Sequence, residues 1–405
     1  MSIVLALALL LGGCAPPPAT SPGAPPGPTA QPESAAALRW RRSGPQGNGA
    51  STGQLIRLGA ALSLSGSGAA AGLAQRAGLR LAQDEINASH LLGTARLDIV
   101  VEDDASDRDQ AASVFQKFID NSHVVGIIGP TLNDVALSVD PLAQQAGVPV
   151  LAISNPAGSL TQIGNFIFRD ALSESQLAPA TIKQVCARLK LHKAALLYSD
   201  TDANRSGSHG FKKALQDTGV RIVAEQAFEP GATDFSGPLE EIAASRPDAL
   251  FVTATGSAAA PILIQARQSG LAGVPIVGSN AFNSASVLKT AGEAANGLIV
   301  GSGWSSTMPS PRNQQFIQGY RDRYGSDPDQ FAAQAYSGVY ILAAAIGDVM
   351  ATAAGQPPDP RLLRDALERV HGLDTPLGVF SFNDAHDAVL PPTVQIVRDG
   401  ALQPF

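Results

Sequence analysis

With 405 residues, 44% of them hydrophobic, the chain has enough apolar material for two cored lobes. A formal net charge of -7, from 28 Lys and Arg against 35 Asp and Glu, argues against a nucleic-acid partner, since no basic stripe exists to neutralise phosphates. The 2 cysteines, Cys14 and Cys186, offer no disulfide framework, so core packing must carry stability.

Ile3 to Leu11 is an unbroken apolar run that leads into Leu11-Gly12-Gly13-Cys14. It is shorter than the ~20 residues a membrane-spanning helix needs. A branched aliphatic residue and two small residues before a cysteine read as an export signal with a lipobox over residues 1–14, although no Lys or Arg precedes Ile3. The thiol of Cys14 is then expected to carry a lipid and hold the protein at the cell envelope, on the extracytoplasmic or periplasmic side. Residues 15–54 are rich in Pro, Ala, Gly and Ser, which predicts an extended tether without a core.

From Leu55 onward, short aliphatic runs alternate with helical patterns. Strands are predicted at Ile56–Leu62, Leu97–Glu102, Val124–Ile128, Val148–Ala152, Ala194–Tyr198, Ile222–Ala227, Ala249–Val252, Pro275–Val277 and Leu298–Val300. Helices are predicted between them, for example at Ala70–Asn87, Asp107–Asn121, Val135–Gln145, Ser208–Asp217 and Ala258–Ser269. Cys186 falls in a helical stretch, Ala180–Leu189, and is expected to be buried and inert. After Gly303 three helical patterns follow in series (Asn313–Tyr324, Phe331–Ala353, Arg361–Val370), then extended segments at Gly378–Asn383 and Val389–Arg398. Strands joined by helices pair in parallel through right-handed crossovers. The fold class is therefore α/β, with two doubly wound parallel-sheet lobes.

Open parallel sheets bind ligands beyond the carboxyl ends of their strands. The loops at those ends are small and rich in hydroxyls and amides: Ser63 to Gly68, Gly129 to Asn133, Ile153 to Pro156, Ser199 to Asn204, Thr253 to Ser257 and Gly278 to Asn280. Other chemistries fit less well. Gly66, Gly68 and Gly72 follow a strand, but their G-x-G-x-x-x-G spacing departs from the dinucleotide fingerprint. Asp200 to Asn204 opens like a calcium loop but has Arg205 where glycine is needed and Phe211 where a carboxylate is needed. Asp107 is expected to cap the helix it precedes. The 6 histidines lack zinc spacing, and no nucleophile elbow occurs. No metal, no cofactor and no catalytic group is expected.

Several stretches together resemble the branched-chain amino-acid type of solute-binding lipoproteins of ABC importers: GAALSLSGSGAAAG, GLRLAQDEINA, DIVVEDDASDRDQAA, VVGIIGP, GVPVLAISNPAGSLT, FIFRDALSES, TDFSGPLEEIAASRPDALFV, PILIQARQSGL and FAAQAYSGVYILAAAI. The resemblance runs from Leu55 to about Arg398. It implies a class I periplasmic binding fold with a three-crossing hinge near Asp170–Ser173, Gly301–Gly303 and Val379–Asn383. Lobe 1 would be 55–171 plus 303–379, and lobe 2 would be 172–302 plus 380–405. It also implies a monomer that closes on a small solute and delivers it to an inner-membrane permease. A sensor feeding an envelope receptor is the first alternative, and an envelope enzyme the second.

Carried over residue by residue, the resemblance puts the carboxylate-binding serine at Asn133, its backbone neighbour at Ser154, and a threonine at Pro156, which has neither N–H nor hydroxyl. The acid that pairs with the ammonium becomes Asn280, and a second-lobe aspartate becomes Glu174. Aromatic walls become Ala71, Asn204 and Thr255, while Phe331 keeps the far wall. With Ser65 and Gly66 from the first loop and Asn155 beside Ser154, these form the expected ligand-binding set. The cleft reads as wider and more neutral than a leucine site, suited to a polar amino acid, an amide- or urea-like solute, or a larger hydroxylated compound.

Overall fold

The structure, a computed structural model, describes residues 53–120, 123–352 and 358–405. Cys14, the signal and the tether up to residue 52 lie outside the described residues.

The first lobe is built on five parallel strands: β1 (Leu55–Leu62), β2 (Arg96–Asp103), β3 (Ile127–Ile128), β4 (Val150–Ala152) and β5 (Ile167–Arg169). Their spatial order is β2-β1-β3-β4-β5. Alternation along β1 explains why both faces are covered. Ile56, Leu58, Ala60 and Leu62 point into one core. Ala61 points into the other, with Phe115 and Phe118. Gly59 is required because a Cβ there would lie 2.7 Å from the Phe118 ring. The first core is covered by α1 (Ala69–Ala88), the second by α2 (Arg108–Asp120) and α3 (Asn133–Ala146). Asp107 caps α2, its Oδ1 accepting from Gln110 N at 2.8 Å.

The second lobe contains α4 (Glu174–Leu189), β6 (Lys193–Ser199), α5 (Asp202–Asp217), β7 (Arg221–Phe228), α6 (Ser236–Ala244), β8 (Ala249–Thr253), α7 (Gly256–Gln268), β9 (Ile276–Gly278), α8 (Ala285–Ala291) and β10 (Leu298–Ser302). The chain then returns to lobe 1 with α9 (Pro311–Tyr324), α10 (Gln330–Thr352) and α11 (Pro360–Glu368). A small antiparallel sheet follows, of β11 (Leu373–Thr375), β12 (Gly378–Phe382) and β13 (Ala388–Val389). Finally β14 (Thr393–Arg398) and β15 (Ala401–Pro404) join the second sheet. That sheet runs β15-β14-β10-β9-β8-β6-β7. Its first five strands in sequence, β6 to β10, are parallel, and β14 and β15 add an antiparallel edge. Ile182, Val185, Phe211 and Leu215 fill one face. Leu239, Ile242, Ile262 and Leu263 fill the other. Cys186 is half-buried on α4, its sulfur 3.7 Å from the Thr218 hydroxyl.

Helix α10 is long and apolar enough to cross a membrane, yet most of it is buried as the central core helix of lobe 1. It presses on α1 so closely that a Cβ on Gly78 would lie 2.2 Å from the Ala332 carbonyl oxygen. Two hydroxyls fix that contact: Tyr336 and Tyr340 both donate to Glu85 Oε2, the latter at 3.0 Å. The glycines of the G-x-G run have a similar packing cause, since a Cβ on Gly72 would sit 1.9 Å from the Ser63 carbonyl oxygen.

Three chain segments pass between the two sheets. The first, Asp170 to Ser173, joins β5 to α4, and the second, around Gly303, joins β10 to α9. The third differs from the expected Val379–Asn383. Phe380, Phe382, Ala388 and Leu390 are buried in the lobe 1 core, so the passage falls at Pro391 and Pro392, just before β14. Buried Arg169 explains why the later segment stays with lobe 1. It pairs with Asp387 and donates to the carbonyls of Asn155 (3.0 Å) and Ala157, while His386 stacks on Phe168 at 4.2 Å.

Candidate functional site: an inter-lobe cleft

A cavity of about 110 Å³ opens between the carboxyl ends of the two sheets. A single water needs ~10–15 Å³ on this measure, so the space suits a small organic molecule. Both lobes line it. Ala71, Asn133, Asp134, Ser154, Pro156 and Phe331 come from lobe 1, and Glu174, Asn204, Thr253, Thr255 and Asn280 from lobe 2.

The walls touch directly. Ala203 N donates across to Asp134 Oδ1 at 3.3 Å. Asn280 Nδ2 donates to the Ser154 carbonyl at 3.2 Å. Gln330, on α10, donates back to the Asn280 carbonyl at 3.1 Å. Asn283 Nδ2 reaches Gln330 Oε1 at 3.0 Å. This is the closed arrangement of the two lobes.

Three helices begin at the cleft without a side-chain cap: α1 after Gly68, α3 after Leu132 and α7 after Thr255. Helices α9 and α11 instead carry Ser310 and Asp359 as caps. Uncapped first turns leave N–H donors and the positive end of the helix dipole pointing at the cavity. Among the described residues, the ionisable side chains in the lining are Asp134 and Glu174. An anion here would therefore be held by backbone N–H groups, and a cation by carboxylate.

Glu174 is the outstanding titratable group. Burial raises its carboxyl to about 7, against the opposing pull of Arg169. Its carboxylate accepts no hydrogen bond among the described residues. Space for it exists because residue 207 is glycine: a Cβ there would lie 2.8 Å from Glu174 Oε1.

The structure brings together Asn133, Ser154, Glu174, Asn204, Thr255, Asn280 and Phe331. Some of their polar atoms already have partners. Ser154 Oγ accepts from Gln75 and donates to the Thr131 carbonyl, both at 2.8 Å, so this residue offers its backbone to the cleft. Asn133 Oδ1 accepts from Ala157 N at 3.2 Å. Asn204 Nδ2 bonds Thr201 Oγ1 at 3.0 Å. Ser65, Gly66 and Asn155 do not line the cavity. Ser65 Oγ donates to Asp103 at 2.7 Å, Gly66 makes the turn with φ 76°, and Asn155 is fully buried behind Arg169. Ser67 and Gly68 take the place of the first two on the wall. Thr253 and Ser279 lie in the loops expected at the strand ends, whereas Asp134 and Gln330 lie outside them. The acidic first-turn position of Asp134 on α3 was the available signal.

The set-aside motifs have structural uses. Asp200 and Asp202 both pair with exposed Arg205. Asp103 and Asp104 accept from Ser65 and Ser63, pinning the first loop. No group of three or more His, Cys, Asp or Glu is placed to hold a metal among the described residues.

Two sheet-based lobes with a cleft between them, lined by amides and carboxylates among apolar side chains, are the architecture of the class I solute-binding proteins, here of the branched-chain amino-acid type. The chain belongs to the periplasmic binding protein family, whose model matches residues 55–401. Membership places the folded part outside the cytoplasmic membrane. A leucine-, isoleucine-, valine-, threonine- and alanine-binding protein of Pseudomonas aeruginosa is 25% identical over 77% of this chain and 82% of its own length. The branched-chain amino acid transporter substrate-binding protein LivJ of Streptococcus pneumoniae, solved with isoleucine, is 27% identical, with TM-score 0.79 over 86% of this chain and 98% of that one. A solute-binding protein of R. palustris solved with benzoate shares the fold at 24% identity and TM-score 0.79, covering 86% and 95% of the two chains.

Proposed function

We propose that the protein is the solute-binding component of an ABC importer, capturing a small polar amino acid or amide-like solute in the inter-lobe cleft and delivering it to an inner-membrane permease. The observation that carries this reading is the closed cleft itself, latched by Asp134 to Ala203 and by Asn280 to Ser154, with walls from both lobes. A guest touching both walls binds the closed state more tightly than the open one, and that difference is what shifts the population for a permease to read. The ligand-contacting residues are Asn133, Ser154, Glu174, Asn204, Thr255, Asn280 and Phe331. Uncapped helix ends receive an anionic group, and Glu174 receives a cationic one. Cys14 carries the lipid anchor, and the segment up to residue 54 gives the lobes reach. No catalysis is assigned to the cleft, and the protein works as a monomer.

A thermal-shift screen of amino acids, amides, ureas and sugars tests the reading, because a ligand of the native state raises Tm by mass action. A hit should also change small-angle scattering toward a more compact particle. The absence of any stabilising solute would refute a solute-capturing role. Loss of membrane partition in Cys14→Ser tests the anchor.

A further inference from the structure

The cleft does not end at Glu174. A second chamber of about 40 Å³ continues behind it into lobe 2, sharing Pro156, Glu174, Thr253, Ser279 and Asn280 with the main cavity. Its inner wall is made of Leu177, Ala178, Thr181, Gly207, Phe211 and Gly301. All six belong to lobe 2, on α4, α5 and β10. Glu174 thus stands in the neck between the two spaces, its carboxylate without a hydrogen-bond donor among the described residues.

The two sides of that neck differ in chemistry. On the cleft side amides, backbone carbonyls and open helix ends stand among apolar side chains such as Ala71, Leu132 and Phe331. On the far side the wall is aliphatic and aromatic, with the hydroxyls of Thr181 and Thr253 as its polar groups. Water there finds few partners, so an apolar group displaces it favourably. At ~10–15 Å³ for each water-sized group, the chamber holds about three or four heavy atoms. A carboxylate at the entrance is best matched by a charged N–H donor.

We propose that this chamber is a branch subsite of the ligand cleft, taking a short branched alkyl group attached to a nitrogen cation that rests on Glu174. The inference builds on the solute-binding reading above and narrows its solute to one with a substituted amine at this point. Gly207 is part of the device: a Cβ there would press on Glu174 and push the carboxylate from the neck.

Calorimetric titration of the full chain at about pH 8 with glycine, N-methylglycine and N-isopropylglycine tests it. Each buried carbon contributes roughly fourfold in affinity, so N-isopropylglycine, with two more carbons, should bind roughly fifteenfold tighter than N-methylglycine. Ala178→Leu fills the chamber and should reduce that ratio to about one. If Ala178→Leu does not fold, Leu177→Ala decides: enlarging the chamber should favour N-(1-ethylpropyl)glycine over N-isopropylglycine. Equal binding of the N-methyl and N-isopropyl compounds by the wild type, or a ratio that survives Ala178→Leu, would overturn the branch subsite and leave the solute-binding reading standing. Binding of none of the glycines, with another solute of the wider screen bound, also refutes the branch subsite alone. Failure of every solute removes both.

Discussion

Replacing Glu174 by glutamine should stabilise the empty protein, and only at neutral and alkaline pH. In the folded chain the carboxyl titrates at about 7 because burial disfavours its charge, against 4.5 for the ordinary group. Between those values the native state binds a proton that the unfolded chain has released. Stability from this group is therefore lost as pH rises from 4.5 toward 7, and the loss is complete above the folded value. At ~1.4 kcal/mol per pH unit the cost of ionising it in place is ~3 kcal/mol, already net of the attraction to Arg169. Glutamine has nearly the same shape and no charge to bury. Urea unfolding of Glu174→Gln and wild type should give equal stability at about pH 4, with the variant gaining up to ~3 kcal/mol by about pH 8. At roughly 1–2 °C per kcal/mol for a chain this long, Tm should rise by about 3–6 °C. A variant no more stable than wild type at pH 8, or a gain that grows toward acid pH, would refute the burial argument.

Three further substitutions probe other parts of the structure. Asp134→Ala removes the acceptor for Ala203 N and should lower the closed population, weakening solute affinity roughly tenfold while leaving lobe stability nearly unchanged; small-angle scattering with and without solute measures it. Tyr336→Phe deletes the buried hydroxyl that reaches Glu85 and should cost ~1–3 kcal/mol in denaturant unfolding, with Tyr340→Phe, whose bond to the same oxygen is 3.0 Å, costing less. Gly78→Ala drives a methyl group into the Ala332 carbonyl 2.2 Å away, so α1 and α10 must separate, at ~1–3 kcal/mol or more in the same assay.

Much of the fold was legible because strands covered on both faces read as apolar runs, as at Ala249–Thr253 and Leu298–Ser302, where every residue is buried. The strand Ile167–Arg169 was not, since it is three residues long and ends in an arginine whose partner lies 218 positions away. The third passage was placed too early for a related reason. Gly378–Phe382 looks like any extended segment, and only its packing in the lobe 1 core shows on which side it stays. In the cleft, loops at strand ends pointed to Asn133, Asn204, Thr255 and Asn280, because parallel-sheet geometry sends such loops to one rim. The same geometry cannot say which hydroxyl is already engaged. Ser65 has the composition of a binding residue, and its partner Asp103 comes from another strand. Gln330 was invisible for the converse reason: it opens an apolar helix, and its role depends on Asn280, 50 residues earlier.

The Arg169–Asp387 pair sits at the lobe 1 root of two of the three passages, four residues before the end of Ser173 on one side and five before Pro392 on the other. A backbone bridge joins the same two residues. Straps stitched together at their origin cannot lengthen or slide independently. The first and third passages therefore leave lobe 1 from one shared anchor, a charged pair and a backbone bridge at the same two residues, while the second passage near Gly303 leaves on its own.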